Sequence, residues 1–333
     1  MDTRNVTADP WSVDGDGTVG TALNACLHAA VSAPSVFNTQ PWLFRAGHSY
    51  VDLYADPGRR LSTVDFEGRE LTISLGAALL NLRVAVLHHH RIPLTQLLPD
   101  PRRVDLVARV TLGPPTEPDP TVVALAEAIP RRHTNRRPFT DIPIPPEVLD
   151  ELVAAARIEG GTASVLDDTA RRQVLGVVRS AEVRLRTDPA YREELTRWTS
   201  GDVERDDGIT RTEFGPWDIV ETLPLRDFGV TRRTEPRRTA RFEPDPTLIV
   251  LSTNGDGPRE WLRAGQALER MLLTATVRGL ASTPMTQPLE IPPLRALLTP
   301  GDGTVPQVIL RIGYGPASPV SARRPVSDVL IPD

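Results

Sequence analysis

The sequence predicts an α+β protein in which two related halves share one chain, with mixed sheets of antiparallel type flanked by helices. Three observations predict it. The string Gly76-Ala77-Ala78-Leu79-Leu80 is echoed downstream by Gly265-Gln266-Ala267-Leu268-Glu269. In the same order, Ala108-Arg109-Val110-Thr111-Leu112-Gly113-Pro114 is echoed by Leu310-Arg311-Ile312-Gly313-Tyr314-Gly315-Pro316. One such match is shared composition, but two in register point to an internal repeat. Finally, residues 70–91 read as a helix that is apolar on nearly every face, and all-round apolarity means burial on all sides, as in a helix at an interface. The expected division is a flexible lead over 1–17, a first half over 18–118 and a second over 119–333.

The elements follow from periodicity. Residues 18–32 carry Val19, Leu23, Cys26, Leu27 and Ala30 near helical spacing, and Pro34 ends that helix by disfavouring helical geometry before it. Residues 51–54 alternate as a strand, and 104–113 form another ending in a glycine turn. Residues 113–120, rich in proline, read as a connector. Helices are expected over 121–132, 147–157 and about 168–186, then a strand at 247–252, a helix at 260–280 and a strand at 306–315. Between them, residues 200–245 are rich in Arg, Asp, Gly and Pro with scattered aromatics. A loop of that length is a lid or lacks structure of its own, and Phe214, Trp217 and Phe228 are its candidate covering residues.

Composition excludes several classes of function. The 333 residues carry a formal net charge of −5, which argues against a nucleic-acid partner. All 38 cationic residues are arginine, as codon bias in a GC-rich genome would produce. A single cysteine, Cys26, excludes an internal disulfide. No uncharged apolar run is long enough for a bilayer span, so no membrane partner and a cytoplasmic location are expected. Gly15-Asp16-Gly17-Thr18-Val19-Gly20 lacks the buried strand that a dinucleotide fingerprint needs before it. His88-His89-His90 ends a helix, where successive residues point about 100° apart and cannot converge on one metal. No metal site is expected.

Three segments could carry chemistry. In Ala33-Pro34-Ser35-Val36-Phe37-Asn38-Thr39-Gln40-Pro41-Trp42 a helix stops at proline, and a hydroxyl and amides follow that can hydrogen-bond a polar heterocycle. In Arg131-Arg132-His133-Thr134-Asn135-Arg136-Arg137-Pro138-Phe139, arginine forks around a hydroxyl suit a phosphate. An isolated run of this kind would otherwise be a solvated face. The tail Ala322-Arg323-Arg324-Pro325 is a third basic cluster.

Together these segments resemble the nitroreductase superfamily. The first is similar to its APSxxNxQPW loop, and the second to its opening RRSxRxF motif, with Thr134 in place of serine and one residue added before Phe139. The third resembles the basic tail that closes on the flavin phosphate. The resemblance implies a nitroreductase-like fold and FMN as cofactor. Arg132, Thr134, Arg136, Arg323 and Arg324 would hold the phosphate and ribityl chain, and Pro34, Ser35, Asn38 and Gln40 would lie against the flavin. Ordinary members are homodimers with two sites. Here the first half carries only the APS loop and the second only the arginine motif, so one complete set exists per chain.

That distribution resembles the Acg branch, fused pseudo-dimers with one FMN under a lid. The segment 281–290 (ASTPMTQPLE), with a Pro-Met-Thr-Gln turn after the interface helix, is similar to that branch's pattern, which implies that Thr283, Met285 and Gln287 lie near the ring. The implied activity is ping-pong hydride transfer from NAD(P)H through FMN to a nitroaromatic, quinone or similar small acceptor. The alternative is a flavin-sequestering protein whose lid stays closed. No catalytic side chain is assigned, because the flavin is the reactive group. The chain is expected to be a monomer with an internal pseudo-dimer, with further pairing open.

Overall fold

The computed structural model describes residues 9–12, 20–199, 205–231, 238–299 and 301–332. The strands are β1 (Trp42–Gly47), β2 (Tyr50–Ala55), β3 (Arg91–Leu97), β4 (Leu106–Pro115), β5 (Thr162–Val165), β6 (Trp217–Asp218), β7 (Thr239–Ala240), β8 (Thr247–Thr253), β9 (Ala281–Pro284) and β10 (Val305–Gly313). The helices are α1 (Thr21–Val31), α2 (Arg69–His88), α3 (Pro120–Ala128), α4 (Pro146–Ile158), α5 (Asp168–Thr187), α6 (Pro189–Thr199), α7 (Pro258–Val277) and α8 (Pro292–Ala296).

Two four-stranded sheets dominate, ordered β1-β2-β4-β3 and β5-β8-β10-β9. Every pairing within them is antiparallel. The two orders are the same path drawn twice, with α2 joining β2 to β3 and α7 joining β8 to β9. The arginine-centred echo is real in register: Arg109 faces Gln96 across the β3–β4 ladder, as Arg311 faces Thr283 across β9–β10.

Helices α2 and α7 cross at the small residues that repeat in the sequence. A Cβ on Gly76 would lie 2.2 Å from the Leu262 carbonyl oxygen, and one on Gly265 would lie 2.0 Å from that of Ile73. Each helix also reaches into the other half. Ile73 of α2 packs among the residues of the second core, and Leu262 of α7 among those of the first. This exchange explains why α2 is apolar all round. Its length and mean hydropathy of 1.6 would suit a membrane span, but 78% of that stretch is buried inside the protein.

The structure adds elements that periodicity misses. β3 carries Pro93 and is half-exposed, as an edge strand tolerates. β5 has four residues, too few to alternate legibly. The edge strand β9 lies between α7 and the Pro-Met-Thr-Gln turn expected at 284–287. α2 stops at His88 because His90 adopts a left-handed φ of 63°, where β3 begins.

Two expected boundaries shift. Trp11, in the supposed flexible lead, is buried in the first core, and the Gly20 amide donates to the Ser12 carbonyl at 2.8 Å. Residues 1–8 and 13–19, with most of the glycine string, lie outside the described residues. The tail, assigned to the second half, returns to the first: the Phe44 amide donates to Val329 at 2.7 Å, and that of Ile331 to Phe44 at 2.8 Å. This covers the open edge of β1.

Candidate functional site

The segment between α1 and β1 is held in a shape that its residues resist. Phe37, Asn38 and Gln40 all have positive φ, at 49°, 54° and 50°, which costs non-glycine residues energy and clusters at functional sites. The compensating contacts come from distant parts of the chain. Asn38 Nδ2 donates to the carbonyls of Gly208 at 3.0 Å and Ala322 at 3.1 Å, while Arg323 donates to Asn38 Oδ1 at 3.1 Å. The Gln40 amide donates to Ser35 Oγ at 2.9 Å. Its side chain donates to the Asp206 carbonyl at 2.6 Å and accepts from the Arg324 amide at 2.8 Å.

Over this loop lies a cavity lined by Pro34, Ser35, Asn38, Arg132, Thr134, Arg136, Ile209, Glu213, Ser321 and Arg323. Three guanidiniums converge here against one carboxylate. Arg132 is 3% exposed, and its Nε lies 3.3 Å from Glu269 Oε1 of α7, outside hydrogen-bond geometry. The Nε atoms of Arg132 and Arg323 are both buried without a hydrogen-bond partner. Burial, with Arg132 alongside, depresses Arg323 to about 9, and burial depresses Arg136 to about 10. Both remain cations at neutral pH. Glu213 offsets part of this charge. It receives the Ser321 hydroxyl, while Thr210 donates to its Oε2 from the hydroxyl at 2.7 Å and the amide at 2.9 Å.

Pro34, Ser35, Thr134 and Arg136 also line a second cavity, so the two adjoin across these residues. The second cavity is mainly apolar, with Phe37, Ile73, Ala77, Leu225, Phe228, Leu268 and Val308 among its walls. Glu70, Ser74, Thr283, Thr286 and Arg226 add polar groups. Both halves contribute, since α2 faces α7 and β9 across it. The phenyl ring of Phe228 meets that of Phe37 edge-on at 5.5 Å, and Arg136 lies 4.7 Å from the Phe228 ring centroid.

The structure therefore brings Arg132, Thr134, Arg136, Arg323, Pro34, Ser35 and Asn38 to the arginine-lined cavity, and Thr283 to the apolar one. Four expected residues line neither cavity. Met285 points into a core cluster with Val174, Val178 and Leu289. Gln287 donates to Glu182 at 3.4 Å and to the Pro224 carbonyl at 3.2 Å. Gln40 is spent on tying down the loop. Arg324 donates to the Asp328 carbonyl at 2.8 Å. Asn38 also differs from expectation: its amide is engaged with the Gly208 and Ala322 carbonyls and with Arg323 beside the arginine-lined cavity.

From the excursion at 200–245, Ile209 and Glu213 reach one cavity and Leu225, Arg226 and Phe228 the other. Phe214 stacks on Phe228 at 6.3 Å. Trp217 lines a separate cavity with Arg179 and Arg186. Residues 200–204 and 232–237 lie outside the described residues. Sequence reasoning misses Glu70, Ser74, Arg226 and Glu213; a carboxylate within the apolar α2 run was the available signal for the first.

The family model described as the nitroreductase family matches residues 129–314. The Mycobacterium tuberculosis protein named "Putative NAD(P)H nitroreductase Rv3131" is 35% identical over 91% of this chain and 89% of its own length. The acg protein of the same species is 29% identical over 92% and 94%. Among solved structures, the FMN- and NADPH-dependent nitroreductase NfnB from a Sphingopyxis strain covers 62% of this chain and 97% of its own. Its identity is 22% and its TM-score 0.39. A nitroreductase with bound FMN from Bacteroides fragilis covers 60% and 92%, with 15% identity and a TM-score of 0.37. The chain thus belongs to the nitroreductase family, in its Acg-like branch.

Proposed function

We propose that this chain binds one FMN along the adjoining cavities and works as an NAD(P)H-dependent oxidoreductase on a nitroaromatic, quinone or similar acceptor. The observation that carries the reading is the pair of buried guanidinium Nε atoms without a hydrogen bond, Arg132 facing only the Glu269 carboxyl at 3.3 Å, beside a cavity that is mainly apolar. A phosphate supplies the acceptors those groups lack, and a flat ring system fits the apolar end. Three guanidiniums against Glu213 and the Glu269 carboxyl behind Arg132 leave this end net positive, as an anion requires.

On this reading Arg132, Arg136 and Arg323 fix the phosphate, and the Thr134 and Ser35 hydroxyls serve the ribityl chain between the two ends. Pro34, Phe37 and Phe228 bound the ring. When bound, FMN would supply two-electron redox chemistry, with reduction by NAD(P)H and reoxidation by the acceptor in alternation. Neither Met285 nor Gln287 has a direct role on the ring. The two sheet units and their shared site form an internal pseudo-dimer, with 18–118 and 119–333 as its halves apart from the returning tail.

A second reading is favoured by one feature: Leu225, Arg226 and Phe228 of the excursion already line the ring end, and Phe228 is buried. Residues 205–231 then act as a lid, and a lid that stays shut would hold FMN with little turnover. The test is to release and quantify flavin from the purified protein, then record NADPH oxidation with a quinone and a nitroaromatic. One FMN per chain with acceptor-dependent turnover is the expected result. Bound flavin without turnover would favour sequestration, and a colourless protein that takes up no FMN would refute both.

A further inference from the structure

The apolar end of the site contains a carboxyl group to which the flavin reading gives no task. Glu70 stands in the first turn of α2 and lines the cavity with Ile73, Ser74 and Ala77. The spacing i, i+3, i+4, i+7 defines one face of a helix, so these four side chains look the same way, onto the space. The residue is buried, and Arg69 Nη2 donates to its Oε1 at 2.5 Å. That contact occupies one oxygen of the two.

The surroundings are unusually rich in buried acid. Asp65 accepts from the amides of Glu70 at 2.8 Å and Leu71 at 2.7 Å. Glu290 pairs with Arg226 and accepts from the Thr286 hydroxyl at 2.8 Å. Glu182 accepts from the Asp227 amide at 3.0 Å. Around these groups the cations are Arg69, which also donates to the Gln307 carbonyl at 2.7 Å, and Arg226, which also donates to the Tyr191 hydroxyl at 3.1 Å. Four buried carboxyls outnumber the three guanidiniums of Arg69, Arg226 and Arg136, which lines the same cavity, so they cannot all ionise without uncompensated charge in the interior. Burial pushes Glu70 up to about 8, with Glu290 and Asp65 adding to the effect against the pull of Arg69 and Arg226.

We propose that Glu70 is the proton donor of this site, protonating the acceptor as it takes a hydride. The inference rests on the flavin reading above. As the hydride's electron pair enters a quinone or nitro acceptor, the Glu70 O–H bond breaks and an O–H bond forms on the acceptor oxygen. The acceptor is reduced by two electrons, NAD(P)H is the ultimate reductant, and Glu70 is left as a carboxylate that solvent reprotonates. The site is therefore built for acceptors that need a proton, in preference to one-electron metal complexes.

Glu70→Gln keeps the shape and an acceptor for Arg69 while removing the acidic proton. Two measurements test the idea. Infrared titration of the flavin-free protein should show carboxylic-acid C=O intensity lost above neutrality in the parent, and Glu70→Gln should lack one carboxyl's share of it while Glu269 keeps its own. In stopped flow, the variant should bind FMN and be reduced by NADPH as the parent is, yet reduce a quinone about 100-fold more slowly. Ferricyanide, which takes up no proton, should be slowed far less, and Glu70→Asp should restore part of the quinone rate. Equal titrating intensity in parent and Glu70→Gln, or an unchanged quinone rate, overturns the proposal. A parent protein that retains no FMN refutes the flavin reading instead, while the infrared result still reports on Glu70.

Discussion

Replacing Arg132 with alanine is expected to cost about 3–5 kcal/mol of stability and to remove most of the affinity for flavin. The two losses share a cause. Arg132 has 3% of its side chain exposed and Glu269 has none, so each is the other's means of being charged in the interior. Deleting the guanidinium leaves a carboxylate on α7 without its principal cation, only the more distant Arg323 offsetting its burial. The same guanidinium is one of the three that face the phosphate end. Arg323→Ala separates the effects: it should release FMN with a smaller loss of stability, because its loss leaves no carboxylate as deeply buried as Glu269 without its principal cation. Urea unfolding together with flavin occupancy of both variants checks this. Equal stability of Arg132→Ala and the parent would mean that Glu269 is neutral already.

The pH dependence gives the sign independently. Burial pushes Glu269 up to about 7, against the attraction of Arg132. Its native-state pKa is therefore raised above the ordinary glutamate value, so the folded form binds more protons than the unfolded one. The associated stability is complete below the unfolded pKa and is lost as pH rises through the native one. Without Arg132 the native pKa rises further. The stability gap between variant and parent should accordingly be wider at pH 8.5 than at pH 5.5. A gap that narrows with rising pH would reverse the assignment.

The second large effect is expected where α2 and α7 cross. Gly265→Ala places a methyl carbon 2.0 Å from the Ile73 carbonyl oxygen and 2.8 Å from the Gly76 Cα. These are backbone atoms and cannot rotate away, so the helices must part. Overpacking of this kind costs about 1–3 kcal/mol, and the upper end applies because the helices fill the seam between both cores. Gly76→Ala should act alike, meeting the Leu262 carbonyl at 2.2 Å. The double variant should cost less than the two singles added, since the first substitution already separates the pair. Additive losses in thermal unfolding would mean that the two glycines respond independently. Because α2 and α7 also wall the ring end, flavin affinity should fall with stability in both variants.

The resemblance in the APS loop and the arginine motif is confined to short strings, and those strings are legible because each needs specific residue types. A proline stops α1, hydroxyls follow, and arginine forks gather within a few residues of Thr134. The Gly-Ala strings of α2 and α7 are legible for a similar reason, as only glycine permits two backbones to approach so closely. Period-based reading places the long helices well, since α5 and α7 run through most of their expected spans. It misses β3 and β5 because edge strands are half-exposed or too short to alternate.

By itself, then, the sequence determined the family, the repeated plan and the arginines that gather at one cavity, which are legible by residue type and local spacing. Only the tertiary structure decided which of the other candidates face the site. Thr283 lines the cavity while Met285, two residues on and just beyond the end of β9, points into a core cluster. It also decided the setting of Glu70. The acid cluster around it comes from segments far apart in the chain, Asp65, Glu182 and Glu290 among them. A charge balance summed over such contacts exists only once the two halves have closed on each other.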